Sequence, residues 1–408
     1  MDLMSRTFAY LQSLENPQNA EIAVLVNHIV LDAIDAKASD IHIEPWEGKL
    51  VVRLRLMGVL NELVHLPLDL TDKVAGRLKV MANLQSYRND LPQEGHAPAS
   101  PDMGGVELRI SVFPTVRGEK IVVRIFDPTN RTFDIAQLGL DAQCLSRLVK
   151  LLNKPSGLIL LTGPTGSGKT TAIYASLYYL VQRSGPSISI STVEDPVEFH
   201  LPMISQAQIN VLKEFTYPIA LRSLMRQDPQ VIMIGEIRDP ETAAIAVQAG
   251  LTGHLVISTI HSGTTAGVFA RMINMEIEPF LLASSISGVL GLRLIRKNCP
   301  YCTEPYSPEP AFLSQLPAEL IENAYWRKGA GCGHCHHTGF SGRSALTEMM
   351  VVDEVIREAV LQKTPTRVLQ KVAIDQGMQS LWDNGIRIAA AGDSTLEEIM
   401  RVVAADQF

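Results

Sequence analysis

The period of the apolar positions changes along the chain, and each change predicts an element. Residues 21–36, EIAVLVNHIVLDAIDA, place apolar side chains every three to four positions, the spacing of one helix face. Residues 49–60 (KLVVRLRLMGVL), 106–114 (VELRISVFP) and 120–128 (KIVVRIFDP) instead alternate apolar with polar, as half-exposed strands do. A turn-rich stretch, DPTNRT at 127–132, follows, so a first, mixed α+β domain is expected over 1–130. From 131 to 298 short apolar runs, at 156–161 (SGLILL), 187–195 (SISISTVED), 230–239 (QVIMIGEIRD) and 253–262 (GHLVISTIHS), are separated by helical spacing. That pattern predicts an α/β core with a mainly parallel sheet covered on both faces. The longest apolar stretch, PFLLASSISGVLGLRLI at 279–295, is rich in Ser and Gly and contains Arg293. It falls short of the ~20 residues that span a bilayer, and is expected to be a core helix.

The predicted strands end in residues with chemistry. The first runs into LTGPTGSGKTT, where Gly163, four residues, then Gly168, Lys169 and Thr170 match the phosphate-loop pattern, and a helical stretch, TTAIYASLYYL, follows. Gly163, Pro164, Thr165, Gly166, Ser167, Gly168, Lys169, Thr170 and Thr171 are therefore expected to hold a nucleoside triphosphate, which the resemblance given below makes ATP. Glycines let backbone N–H groups turn toward phosphate oxygens, Lys169 adds a full positive charge, and Thr170 can ligate Mg²⁺. Glu236, after VIMIG, is the expected Walker B carboxylate; Glu194, Asp195 and Glu198 in TVEDPVEF are a second source. One carboxylate would serve magnesium while another polarises the attacking water, with the assignment left open. His261 ends the next strand, where an imidazole can hydrogen-bond the γ-phosphate, and His254 is a candidate for a similar role.

Two or three domains are expected from 408 residues. The first residues hold no apolar run of a secretory signal. A net charge of -7 and 6% aromatic residues speak against a broad nucleic-acid surface. Of five cysteines, four form two Cys-x-x-Cys knuckles, Cys299 with Cys302 and Cys332 with Cys335. Two such knuckles complete a closed tetrahedral Zn²⁺ site, expected here as a module over 299–337; His334, His336 and His337 crowd the second knuckle. Cys144 is expected to be a buried small hydrophobe. Residues 338–408 are expected to form a helical C-terminal region.

Three stretches, TVEDPVEF, LMRQDPQVIMIGEIRDPETA and GLTGHLVISTIH, resemble the Asp box, Walker B and His box of the secretion ATPase superfamily of the GspE/PilB type. ASDIHIEP (38–45) and LPQEGH (91–96) are similar to its second, PAS-like N-terminal domain, and TGFSGRSALTEMM (338–350) to its C-terminal domain. The resemblance implies a RecA-like core working as a hexamer, cytoplasmic and peripheral at the inner membrane through a platform protein, for type II secretion or type IV pilus assembly. A tetracysteine module with a long insert marks the assembly and secretion branch. The family offers arginines to the triphosphate from the N-terminal domain, and Arg109 and Arg124 match two of them; their alternation with apolar neighbours puts both on one sheet face. Departures are His96 in place of arginine, Met57 in place of aspartate, Leu292 in place of glutamine, and Ser262-Gly263 after His261. No counterpart of the extra N-terminal docking module precedes residue 21. The rival readings are a nucleic-acid-translocating RecA-type ATPase, which wants a basic aromatic channel, and a nucleotide-gated scaffold with little turnover, which His96 would favour.

Overall fold

The computed structural model describes residues 5–126, 133–314 and 316–403, and the turn-rich stretch at 127–132 lies outside them. The chain divides into two compact units, Met1–Arg131 and Thr132–Phe408.

The first unit begins with helices α1 (Arg6–Gln12) and α2 (Ile22–Asp35), continues through strands β1 (Asp40–Trp46), β2 (Lys49–Leu56) and β3 (Val59–Pro67), and turns into α3 (Thr71–Met81). Strands β4 (Gln93–Ala97), β5 (Glu107–Thr115) and β6 (Gly118–Phe126) complete it. The six strands pair antiparallel in the order β3-β2-β1-β6-β5-β4. Their apolar positions (Ile41, Leu54, Leu108, Val123) bury against Leu25, Ile29, Val74 and Leu78 of α2 and α3. The alternating run at 49–60, expected as one strand, is a hairpin instead. Met57 (φ 48°) and Gly58 (φ 86°) both take left-handed backbone, the conformation that closes a two-residue turn between twisted strands.

The second unit carries α4 (Ala142–Leu152), β7 (Gly157–Thr162), α5 (Lys169–Ser184), β8 (Ile190–Glu194), β9 (Ser205–Gln208), α6 (Tyr217–Leu224) and β10 (Val231–Ile234). Then come α7 (Pro240–Leu251), β11 (Leu255–Ile260), α8 (Thr265–Asn274), α9 (Pro279–Ser285) and β12 (Ile286–Asn298). An excursion through β13 (Thr303–Pro305), α10 (Pro310–Leu313), α11 (Ala318–Asn323) and β14 (Arg327–Gly329) leads to β15 (Phe340–Val351). Helices α12 (Glu354–Leu361), α13 (Thr366–Asp375), α14 (Leu381–Ala390) and α15 (Leu396–Val403) end the unit. Its seven-stranded sheet runs β15-β12-β7-β11-β10-β8-β9, parallel except for β15. Alternate residues bury on opposite faces: Leu158, Leu160, Ile232 and Val256 toward α7–α9 and α12, and Ile159, Leu161, Met233 and Ile257 toward α4 and α5.

Two expectations are corrected. The stretch 279–295 is helix only to Ser285 and then becomes β12. A strand buried on both faces has no alternation, so by apolar content it is indistinguishable from a buried helix. The C-terminal region is not helical throughout, because 340–351 is β15, paired antiparallel with β12 from Gly288↔Val351 to Asn298↔Phe340. The cysteine-bearing segment is therefore an insertion between two neighbouring strands of the main sheet. Among the described residues no helix is long and apolar enough to cross a membrane.

Candidate active site

Neighbouring parallel strands β7, β11, β10 and β8 bring their carboxyl ends to one edge of the sheet. β7 opens into the phosphate loop, where Gly163 (φ 148°), Gly166 (φ 76°) and Gly168 (φ 94°) take backbone that side chains resist. Gly163 is also a point of close approach, since a Cβ there would lie 2.3 Å from the Leu292 carbonyl oxygen. Pro164, Thr165 and Gly166 are exposed at the mouth, while the Ser167 hydroxyl is buried with no hydrogen-bond partner. Lys169 starts α5, and its Nζ donates to the carbonyls of Gly163 (2.7 Å) and Pro164 (2.9 Å), folding across the loop. Burial and the nearby Arg293 lower its pKa against the opposing pull of Glu236. Gly168, the N-cap of α5, provides no side-chain cap, so the first-turn N–H groups of Lys169, Thr170 and Thr171 have no acceptor within the helix. An orphaned hydroxyl, uncapped N–H groups and a partly buried ammonium suit a triphosphate with its magnesium.

Glu236 follows β10 and Gly235, and its carboxylate is shared between Arg238 and His261 Nε2, the latter at 3.8 Å. Burial, Lys169, Arg238 and Arg271 lower the His261 pKa more than Glu236 raises it, so the ring is neutral near pH 7. Glu194 differs from Glu236. It is 2% exposed and accepts hydrogen bonds from the hydroxyls of Tyr174 and Thr192 (2.5 Å) and from Gln206 Nε2 (3.1 Å), a buried network that locks the end of β8. Burial, then Glu194, raises the Tyr174 pKa. Glu198 donates its backbone N–H to the Tyr174 hydroxyl at 3.2 Å, and Asp195 is exposed. The structure thus gathers Lys169, Glu236 and His261 and sequesters Glu194. His254, considered for a nucleotide role, is displaced from the site: it precedes β11, its carbonyl accepts from Gly157 N–H at 3.0 Å, and it occupies the opposite, amino edge.

Three residues at this edge had not been assigned a role. Arg293, noted as the charge inside an apolar run, is buried and donates to the carbonyls of Leu292 (3.0 Å) and Gly263 (2.9 Å), tying β12 to the loop after His261. Arg238 caps Glu236, and Tyr217 begins α6 beside Gly235. Only their motif neighbours gave a signal.

In the first unit, register places Arg55, Asp40, Arg124, Arg109 and His96 in one row across five strands. Arg124 Nε donates to Asp40 at 3.0 Å, Arg109 Nε to Glu94 at 2.6 Å, and His96 lies 3.3 Å from Glu107. Each of the three arginines is paired with a carboxylate within its own unit.

The four knuckle cysteines converge, with Sγ atoms all within 4.8 Å of one another. Cys299–Cys332, Cys302–Cys335 and Cys332–Cys335 stand 3.9, 3.8 and 3.8 Å apart. A tetrahedron of Zn–S bonds of about 2.3 Å separates its sulfurs by about 3.8 Å, so the donor set fits zinc. Backbone N–H groups of Gly331, Cys332 and Gly339 point at the sulfurs of Cys302 and Cys335 from 3.2–3.3 Å. Burial opposes ionisation of Cys335, yet the N–H groups of Cys332 and Gly339, with the thiols of Cys332 and Cys302, bring its pKa down to about 7. Cys144 is buried in the α4 face of the core, and burial pushes its thiol up to about 12.

The family model described as Type II/IV secretion system protein matches residues 15–401. Type II secretion system protein E of Pseudomonas aeruginosa is 41% identical over 389 residues, 95% of this chain and 77% of that protein. Type IV pilus assembly ATPase PilB of Myxococcus xanthus is 42% identical over 396 residues, 96% of this chain and 69% of that one. Among solved structures, the pilus retraction motor PilT with bound ADP aligns at a TM-score of 0.60 and 25% identity, covering 92% of this chain and 96% of its own. The Legionella pneumophila ATPase DotB aligns at 0.67 and 18% identity, covering 94% and 96%, a likeness of fold.

Proposed function

This chain belongs to the type II/IV secretion system protein family, a family of RecA-like α/β ATPases, and we propose that it hydrolyses Mg-ATP to drive type II secretion or type IV pilus assembly. The observation that carries this reading is the sheet edge where a phosphate loop, a neutral imidazole and a half-buried carboxylate end adjacent strands. The loop N–H groups and Lys169 would bind the β- and γ-phosphates, and Thr170 would hold magnesium. Held there, magnesium would supply positive charge to the phosphoryl oxygens. Glu236 accepts a proton from the attacking water as the water oxygen bonds to the γ-phosphorus. The bond from that phosphorus to the β,γ-bridging oxygen breaks, leaving ADP and phosphate. Glu236 is preferred to Glu194 for this step because the acceptors of Glu194 are already engaged, which gives Glu194 and the adjacent Glu198 a supporting role at the end of β8. His261, neutral near pH 7, can either donate a hydrogen bond to, or accept one from, groups beside the γ-phosphate.

The finer parts of the reading are a homohexamer, an inner-membrane platform as partner, a structural Zn²⁺ on Cys299, Cys302, Cys332 and Cys335, and transition-state charge from Arg109 and Arg124. For the arginines this requires exchange of Glu94 and Asp40 for phosphate. Steady-state phosphate release and nucleotide binding test the core of the proposal. Lys169→Ala should abolish turnover and weaken binding, while Glu236→Gln should bind nucleotide and lose turnover. Wild-type phosphate release by both variants would overturn it.

A further inference from the structure

Tyr217 occupies the first helical position of α6, and its ring packs, half-buried, against the core beneath β8 and β10. Its hydroxyl reaches the residue that joins β10 to Glu236. A Cβ placed on Gly235 would stand 2.7 Å from the phenol oxygen, and 3.4 and 3.5 Å from the Val193 carbonyl oxygen and Glu194 Cα. The hydroxyl is therefore lodged between the carboxyl ends of β8 and β10. Burial, then the charges of Glu236 and Asp195, raise its pKa against the opposing Arg238, so it remains a protonated donor across the working pH range. Among the described residues it makes no hydrogen bond. A phenylalanine would fill the same apolar space, so what distinguishes this side chain is a donor placed beside Gly235, one residue before Glu236, and free to take an acceptor there.

We propose that Tyr217 is a positioning residue for hydrolysis, its hydroxyl donating a hydrogen bond to the Glu236 carboxylate in the nucleotide-loaded enzyme and fixing the orientation in which that carboxylate takes the proton from water. The phenol keeps its own proton throughout. Gly235 is part of the device, because any side chain there displaces the hydroxyl. The inference rests on Glu236 as proton acceptor.

Phosphate release by the full chain, with nucleotide affinity and melting temperature measured alongside, tests it. Tyr217→Phe should lower kcat by about tenfold while KM for ATP, nucleotide affinity and melting temperature stay at wild-type values. Gly235→Ala should reproduce that loss, and should add little in the Tyr217→Phe background, where the atom it collides with is gone. Unchanged kcat in Tyr217→Phe, a loss that appears equally in affinity or melting temperature, or additive effects of the two substitutions would overturn the inference. Glu236→Gln in the same assay separates the two levels: if it retains turnover, the assignment of Glu236 falls and this inference with it. If it loses turnover while Tyr217→Phe does not, the inference alone falls.

Discussion

His261 and Glu398 are titratable groups whose surroundings shift them in the same direction for different reasons. Burial, and then the cations around His261, lower its pKa from the usual 6.5, so the ring is neutral above that value and gains a proton only below it. Because the unfolded chain binds that proton more readily, stability falls as pH drops below about 6.5, and the charged ring would pair with Glu236. We expect kcat to fall on the acid side of this window and to hold on the alkaline side, with His261→Asn moving the fall to lower pH. Identical profiles for the two proteins would remove His261 from the site. Arg124 offers a different contrast. In the first unit it neutralises Asp40, which keeps Arg55 at 3.5 Å, so Arg124→Ala should cost only about 1 kcal/mol of stability. A loss of turnover of tenfold or more in Arg124→Ala and Arg109→Ala would then be catalytic; wild-type rates in both would show that the row contributes no charge to the reaction. Arg109, Arg124 and His96 were marked in the sequence, but their row-mates Asp40 and Arg55 were not, and neither was Tyr217. The motifs marked Lys169, Glu236 and His261, but the pairing of Arg124 with Asp40 joins residues 84 positions apart.

At the scale of elements, the insertion between β12 and β15 is held at both ends. The Asn298 side chain donates to the carbonyls of Arg327 (2.8 Å) and Gly392 (2.9 Å), and the Cys299 N–H donates to Gly339 at 2.9 Å. Metal analysis should find about one zinc per chain, and Cys332→Ser should lose it and lower the melting temperature, since metal affinity becomes folding energy. Metal-free protein with an unchanged melting profile would refute the site. The last helix is fixed independently. Glu398 on α15 has a fully buried side chain and bonds Arg296 of β12 (2.8 Å) and Arg401 (2.7 Å). Burial raises its pKa, but the hydrogen bonds from Arg401 and Arg296 prevail and lower it. Its contribution is therefore present above the usual carboxylate range and lost as pH falls through it. Glu398→Ala, which leaves the partly buried Arg296 without its carboxylate, should destabilise the second unit by about 2 kcal/mol in urea unfolding at pH 7. A change under about 1 kcal/mol would mean that the pair is replaceable by water.

At the scale of the whole molecule, two units carry complementary chemistry. One holds paired cations and the other a triphosphate loop, each with its own core. If the arginines act only when an assembly exchanges their carboxylate partners for phosphate, turnover per chain should rise with protein concentration in step with oligomer formation. Turnover independent of concentration, with sedimentation showing the oligomer form, would make the second unit sufficient by itself.

The sequence alone determined the strand-loop-helix of the phosphate site, the acidic and histidine strand ends, and the knuckle cysteines. These rest on short-range spacing, and local backbone geometry follows from residues within a few positions of one another. Tertiary structure decided what spacing does not encode. β12 is a strand because β7 and β15 accept its backbone hydrogen bonds on either side, although its apolar run equally suits a buried helix. Glu194 and Glu236 read alike as acids at strand ends, yet one is enclosed by Tyr174, Thr192 and Gln206, and the other is left to Arg238 and His261. Whether a carboxylate is engaged or available depends on partners brought from distant parts of the chain, and the fold alone assembles them.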